Sequence, residues 1–223
     1  MGEDAELILS TGKTPVYRAV AALLRGLSRV LFRPIVVGEE RIPLSGPVLV
    51  APVHRSNVDF AFTLFFSPRK VFFMAKRELF GVPVFGNLLR QLGAFPVDRG
   101  SADRDALRLA EEVLRRGEAL IMFPEGTRRE GDVIEDLRDG AMFVASRTGA
   151  AVVPVGIGGS DRAMPGGAKL PRPARVSIVV GEPLDPPRAE GRAPRSLIAS
   201  KTEELRERLQ SVYDASRALL ERS

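Results

Sequence analysis

Seven short apolar runs, at Ile35–Val37, Val48–Val53, Val71–Met74, Ala94–Val97, Ala119–Phe123, Val152–Ile157 and Val176–Val180, constrain this chain more than any other feature. Each has the length of a strand, and helical patterns stand between several of them. Ser101 is positioned to cap a helix through Arg116, whose Ala106, Leu107, Ala110, Val113 and Leu114 share a face before Gly117 ends it. Another helix is expected over Gly140–Arg147, and a last one from about Pro194 to Leu220. The alternation predicts an α/β fold, a largely buried mixed sheet flanked by helices, with an N-terminal amphipathic helix. The stretch Asp161–Pro173, rich in Gly and Pro, reads as a surface loop. There is no internal repeat or low-complexity linker. One domain is therefore expected over residues 35–223, after a loose N-terminus and a helix in residues 1–34.

Composition excludes several chemistries. The chain has 223 residues, 44% of them apolar and 27% charged, as expected of a globular domain. It has no cysteine, which rules out disulfides, zinc thiolates, iron–sulfur clusters and a cysteine nucleophile. A single histidine, His54, removes metal sites that need two imidazoles, so no metal is expected. Lys plus Arg number 33 and Asp plus Glu 28, a net charge of +5 that suits anionic partners. Basic runs interleaved with aromatics are missing, which argues against nucleic acid. The acidic opening MGEDAELILS does not resemble a secretory signal, and Glu6 stands where a myristoylation signal needs Ser or Thr. No window reaches the roughly 18 apolar residues of a spanning helix.

Residues 16–33, VYRAVAALLRGLSRVLFR, read as a helix stopped at Pro34. At about 100° per residue, Arg18, Arg25, Arg29 and Arg33 form one stripe. Val16, Val20, Leu23, Leu24, Leu27 and Leu31 occupy the opposite side. Such a helix suits an anionic bilayer surface, with the leucines (Leu24, Leu27 and Leu31 among them) in the acyl boundary. It equally suits an ordinary helix whose apolar side packs on the domain.

Polar residues gather where strands end. His54-Arg-Ser-Asn-Val-Asp59 follows the run VLVAPV, and Asp59 is close enough to hold one imidazole nitrogen while the other accepts a proton. In the plainer alternative, Asn57 or Asp59 caps a helix and His54 is a solvated loop residue. Phe123-Pro-Glu-Gly-Thr-Arg128 follows another strand, with a glycine for close backbone approach and an arginine fork suited to phosphate or carboxylate. As an alternative it is simply a turn. Asp98-Arg99 and Lys76 lie beyond two further strands. Each alone is a weak signal, but the repetition at four strand ends is not. Gly156–Asp161 lacks the third glycine of a dinucleotide fingerprint, and Gly126–Gly131 lacks the lysine of a P-loop.

His54–Asp59 resembles the H-x4-D motif of the 1-acylglycerol-3-phosphate acyltransferases, the PlsC-like glycerolipid acyltransferase family. Phe123–Arg128 is similar to that family's FPEGTR motif, a far rarer string. Gly93–Arg99, Phe73–Lys76, Val152–Val155 and Gly181–Pro183 agree in order and spacing, so the resemblance covers residues 35–185. Val53 departs from the asparagine common before the histidine, and Asp139 from a common lysine, and both bear on substrate preference.

The resemblance implies transfer of an acyl group from acyl-CoA or acyl carrier protein to the free hydroxyl of lysophosphatidate, with no cofactor and no acyl-enzyme. His54 and Asp59 would be catalytic. Lys76, Arg99, Glu125, Gly126, Thr127 and Arg128 would form the acceptor's phosphate site, with Glu125 ordering the cations or binding the glycerol. Phe60, Phe62, Leu64, Phe65, Phe80, Val84 and Phe85 are candidates for an acyl channel or for ordinary core. The enzyme would work as a peripheral protein at the cytoplasmic face of the cell membrane. Acylation of another lysolipid or of glycerol 3-phosphate is an alternative, as is a non-catalytic lipid-binding protein or a thioesterase.

Overall fold

A computed structural model describes residues 15–98, 103–168, 170–189 and 191–222, with the backbone alone at 15–18 and 63–65. In chain order the elements are α1 (Pro15–Phe32), β1 (Ile35–Val37), β2 (Val48–Pro52), α2 (Asp59–Phe66), β3 (Val71–Lys76), α3 (Phe85–Gln91) and β4 (Ala94–Val97). Then follow α4 (Arg104–Arg115), β5 (Ala119–Ile121), α5 (Gly140–Thr148), β6 (Ala151–Gly158), α6 (Ser160–Ala163), β7 (Ser177–Val180) and α7 (Arg195–Glu221). Each of the seven apolar runs forms a strand. The sheet order is β1-β7-β6-β2-β5-β3-β4, parallel except at the antiparallel β6–β7 pair.

Side chains alternate across a strand, so each buried strand feeds two cores. Val48 and Val50 of β2 join a layer with Phe62, Phe66, Leu89 and Leu209. Leu49 and Ala51 join the opposite layer with Ala110, Leu114, Met142 and Leu205. Helices on both faces cover the sheet. The parallel strands β2, β3, β4 and β5 bring their carboxyl ends to one edge, where open α/β sheets bind ligands.

Three helices were not evident from periodicity. The α2 segment DFAFTLFF is apolar nearly all round, so it carries no helical stripe. The α3 and α6 segments have only seven and four residues. Expected boundaries also shift. Asp103, not Ser101, caps α4, its carboxylate accepting from the backbone N–H groups of Asp105 and Ala106. Ser101 lies outside the described residues, as do residues 1–14.

The apolar side of α1 is divided. Phe32 meets Phe62 edge to face, with ring centroids 5.1 Å apart, and Leu31 packs on the same core. Residues Ala174 and Val176 donate to the carbonyls of Leu31 and Phe32, which ties the end of the helix to the domain. Leu24 is half-buried. Leu23, Leu27 and Val30 stay 69%, 54% and 76% exposed. Of the leucines expected to reach lipid, Leu27 is free to do so and Leu31 is not, because the helix must bury one stripe to stay attached. Arg29 and Arg33 are exposed, Arg25 is half-buried, and the side chain of Arg18 lies outside the described atoms.

The Gly156-x-Gly158 pattern has a packing cause. A Cβ on Gly156 would sit 2.2 Å from the Val212 carbonyl oxygen, and one on Gly158 would sit 3.0 Å from the Ser216 carbonyl oxygen. The backbone of α7 lies directly on β6. We expect Gly156→Ala to lower stability by about 3 kcal/mol or more, because backbone on both sides must move. Gly26→Ala in α1, where a Cβ meets nothing within 4 Å, should raise it by about 0.8–1 kcal/mol. Urea denaturation of the two variants reads both signs.

Candidate active site

His54 leaves β2 at the carboxyl edge of the sheet. Its Nδ1 lies 3.0 Å from Oδ2 of Asp59, the first residue of α2. The same oxygen accepts the backbone N–H groups of Arg55 and Ser56, each at 2.7 Å. Asp59 thus closes the turn and holds the imidazole at once. It is 0% exposed and His54 6%, so His54 is not the solvated loop residue of the plainer alternative. With Nδ1 donating to the carboxylate, Nε2 is the nitrogen left to accept a proton, and it has no hydrogen bond among the described residues. The ring stacks on Phe123 with centroids 4.1 Å apart.

The Phe123–Arg128 loop is bolted to His54. Glu125 Oε1 accepts the His54 backbone N–H at 2.8 Å, and Oε2 meets Arg55 Nη1 at 2.6 Å. Both side chains are buried. Arg55 also donates to the carbonyls of Gly131, Val133 and His54, and its guanidinium lies 5.1 Å from the Tyr213 ring centroid. The Arg129 N–H closes the frame on the His54 carbonyl at 2.9 Å. Gly126 sits at φ +70, a conformation that favours glycine, and a Cβ there would lie 2.7 Å from the Arg138 side chain.

A cleft of 1410 Å³ opens beside the imidazole. The strand ends contribute His54, Met74, Val97, Met122 and Phe123, and Gly126 and Thr127 stand beside them. The first two turns of α4 and the starts of α5 and α7 supply much of the rest, with Leu107, Ala141, Phe143 and Ile198 forming apolar wall. Among the described residues no group of carboxylates and imidazole fits a metal ion. An imidazole held by a carboxylate at the wall of a cleft can take a proton from a bound hydroxyl.

A family model described as Acyltransferase matches residues 33–158. The chain belongs to this acyltransferase family. The 1-acyl-sn-glycerol-3-phosphate acyltransferase of Bacillus subtilis (strain 168) is 29% identical over 178 residues, 79% of this chain and 86% of its own. A chloroplastic 1-acyl-sn-glycerol-3-phosphate acyltransferase of Arabidopsis thaliana is 27% identical over 195 residues. That match covers 85% of this chain and 54% of the relative, so the chain spans about half that relative's length. Among solved structures, the 1-acyl-sn-glycerophosphate (LPA) acyltransferase PlsC from Thermotoga maritima superposes with a TM-score of 0.73 and 28% identity. It covers 89% of this chain and 80% of its own.

In this acyltransferase the expected site residues divide. His54, Gly126 and Thr127 line the cleft, and Asp59 stands behind the imidazole. Glu125 does not face the cleft. Both its oxygens are taken by His54 and Arg55, so it orders the loop and leaves no oxygen for a glycerol. Lys76 is exposed, pairs with Glu78 at 3.1 Å, and is absent from the cleft wall. Arg128 is exposed, without an ion pair among the described residues, and also stands off that wall. Arg99 lies outside the described residues. The acyl-channel candidates do not line the cleft either. Phe62 is core, Phe60 and Phe80 pack against it, Val84 and Phe85 are exposed, and the side chains of Leu64 and Phe65 lie outside the described atoms.

The residue that sequence reading missed is Arg55. Its partner is 70 positions away, and no local pattern marks a buried arginine. Breaking a buried pair from one side strands a charge, at a cost of about 3–5 kcal/mol. Glu125→Gln alone should therefore be strongly destabilising. Adding Arg55→Met should recover much of the loss, because the glutamine carbonyl still accepts the His54 N–H. Chemical denaturation of both single variants and the double variant checks the sign of that coupling.

Proposed function

We propose that this acyltransferase moves a fatty acyl group from an acyl thioester to the free hydroxyl of 1-acylglycerol 3-phosphate, giving phosphatidate. The observation that carries the reading is the buried His54–Asp59 pair at the wall of a cleft, with Nε2 unpartnered among the described residues. The relatives' printed names support the acceptor, and the cation Arg128 beside Thr127 supports a phosphate-bearing one.

The chemistry balances without a covalent enzyme intermediate. As the acceptor hydroxyl oxygen attacks the thioester carbonyl carbon, its proton passes to His54 Nε2. Asp59 keeps Nδ1 protonated and stabilises the imidazolium. Collapse of the tetrahedral intermediate breaks the C–S bond, and the imidazolium proton goes to the departing thiolate. Thr127 borders the cleft, where its backbone N–H can meet the developing oxyanion, whereas the Gly126 N–H is held by the Phe123 carbonyl at 3.0 Å. Arg128, Lys76 and Arg99 are assigned to the acceptor phosphate, with the first carrying the most weight. His54→Ala should lower kcat by about 10²–10⁴-fold in protein shown to be folded by circular dichroism at the assay temperature. Retention of more than about a tenth of the rate would remove the base assignment. The assay is mass detection of phosphatidate, run beside glycerol 3-phosphate and other lysolipids as acceptors.

The same reading includes work at a membrane surface through α1. Among the described residues no helix is long and apolar enough to cross a membrane. The exposed Leu23, Leu27 and Val30 lie across Ala19, Ala22 and Gly26 from the arginine stripe, so one exposed side offers both lipid-seeking and phosphate-seeking groups. Each basic residue near an anionic surface adds about 1 kcal/mol, and salt screens it. Leu23→Ser with Leu27→Ser and Val30→Ser should keep the melting temperature and lose sedimentation with vesicles rich in phosphatidylglycerol. Unchanged sedimentation would detach α1 from the membrane. Leu31→Asp, by contrast, should unfold the contact with the core.

A further inference from the structure

The wall of the cleft supplied by α4 and by the starts of α5 and α7 is basic. Arg104 and Arg108 stand one turn apart on α4, Arg138 precedes α5, and Arg192 and Arg195 frame the start of α7. Three separate elements thus bring arginines to the cleft that holds His54. The acids on the same wall are engaged elsewhere. Asp98 meets Arg77 at 2.8 Å, Asp103 caps α4, Glu111 meets Arg115 at 2.6 Å, and Asp139 accepts the Thr202 hydroxyl at 2.8 Å. Among the described residues Arg104, Arg138, Arg192 and Arg195 have no carboxylate within 4.0 Å, and Arg108 has Asp105 alone, at 3.7 Å.

Two further observations point to an anion. The residues before α5 and α7, Asp139 and Pro194, give no side-chain cap, so the first N–H groups of a nine-residue and a 27-residue helix open here uncapped. His54 lines the same cleft and its buried Nε2 has no partner among the described residues, so whatever binds the arginines shares a space with that imidazole.

We propose that this wall holds the phosphates of the acyl donor, the diphosphate and ribose phosphate of an acyl-coenzyme A. The proposal rests on the acyltransferase reading above. An acceptor headgroup brings one phosphate, too little anionic charge for five guanidiniums, and Arg128 stands elsewhere to receive it. The 1410 Å³ of the cleft exceeds the roughly 300–1,000 Å³ of a site for one small ligand, as a shared donor and acceptor space requires. Guanidiniums converging on a concavity from three elements suit a small polyphosphate. An acidic carrier protein would call for a projecting basic face.

The test uses the full chain with two double variants, Arg104→Gln with Arg108→Gln and Arg192→Gln with Arg195→Gln. The proposal expects each to raise KM for acyl-CoA and the calorimetric Kd for coenzyme A about tenfold or more. KM for lysophosphatidate should stay within twofold, and melting temperatures should be unchanged. Coenzyme A lacking its ribose phosphate should bind the parent more weakly and lose that disadvantage in at least one variant. A rise in KM for lysophosphatidate with coenzyme A binding intact would overturn the proposal, as would loss of turnover with acyl carrier protein alone. Unchanged donor constants would overturn it too. Calorimetry with coenzyme A needs no turnover, so a wrong acceptor assignment and a wrong donor wall give different results.

Discussion

One oxygen of Asp59 organises the active site. It receives the imidazole of His54 and two successive backbone N–H groups, and no solvent competes for it. A buried carboxylate is costly without donors, and three on Oδ2 offset that cost while Oδ1 has none among the described residues. The His54–Asp59 spacing therefore does two things that cannot be separated: it folds the turn after β2, and it fixes the imidazole at the wall of the cleft.

The second layer is the Arg55–Glu125 pair. It joins the loops after β2 and β5, which are adjacent strands in the sheet though far apart in the chain. Parallel pairing brings both strand ends to one edge, and the ion pair fixes His54 through its own backbone N–H. His54 is thus held at the ring by α2 and at the main chain by the β5 loop. Neither contact needs a bound ligand, so the site is pre-organised, as transition-state stabilisation by fixed groups requires.

Local signals carried much of this into the sequence. The seven strands were legible because a buried strand is a short apolar run. His54 and Asp59 were legible because both partners lie within one turn. What escaped was non-local or aperiodic. Arg55 needed a partner from another strand, α2 is too uniformly apolar to show a stripe, and Glu125 looked like a ligand residue because burial is invisible in a motif. The divided apolar side of α1 escaped for a related reason, since one side of a helix can be shared between core and surface. The arginines of the cleft wall come from three elements, and only the fold gathers them.

Direct transfer is the central claim, and one measurement tests it most plainly. The purified protein is mixed with acyl-CoA labelled in the acyl group, first alone and then with lysophosphatidate, while free thiol and protein-bound label are followed. The account predicts neither thiol nor labelled protein without acceptor, and one thiol released per phosphatidate formed once acceptor is present. Label retained on the denatured protein, or thiol released to water at a comparable rate without acceptor, would contradict it.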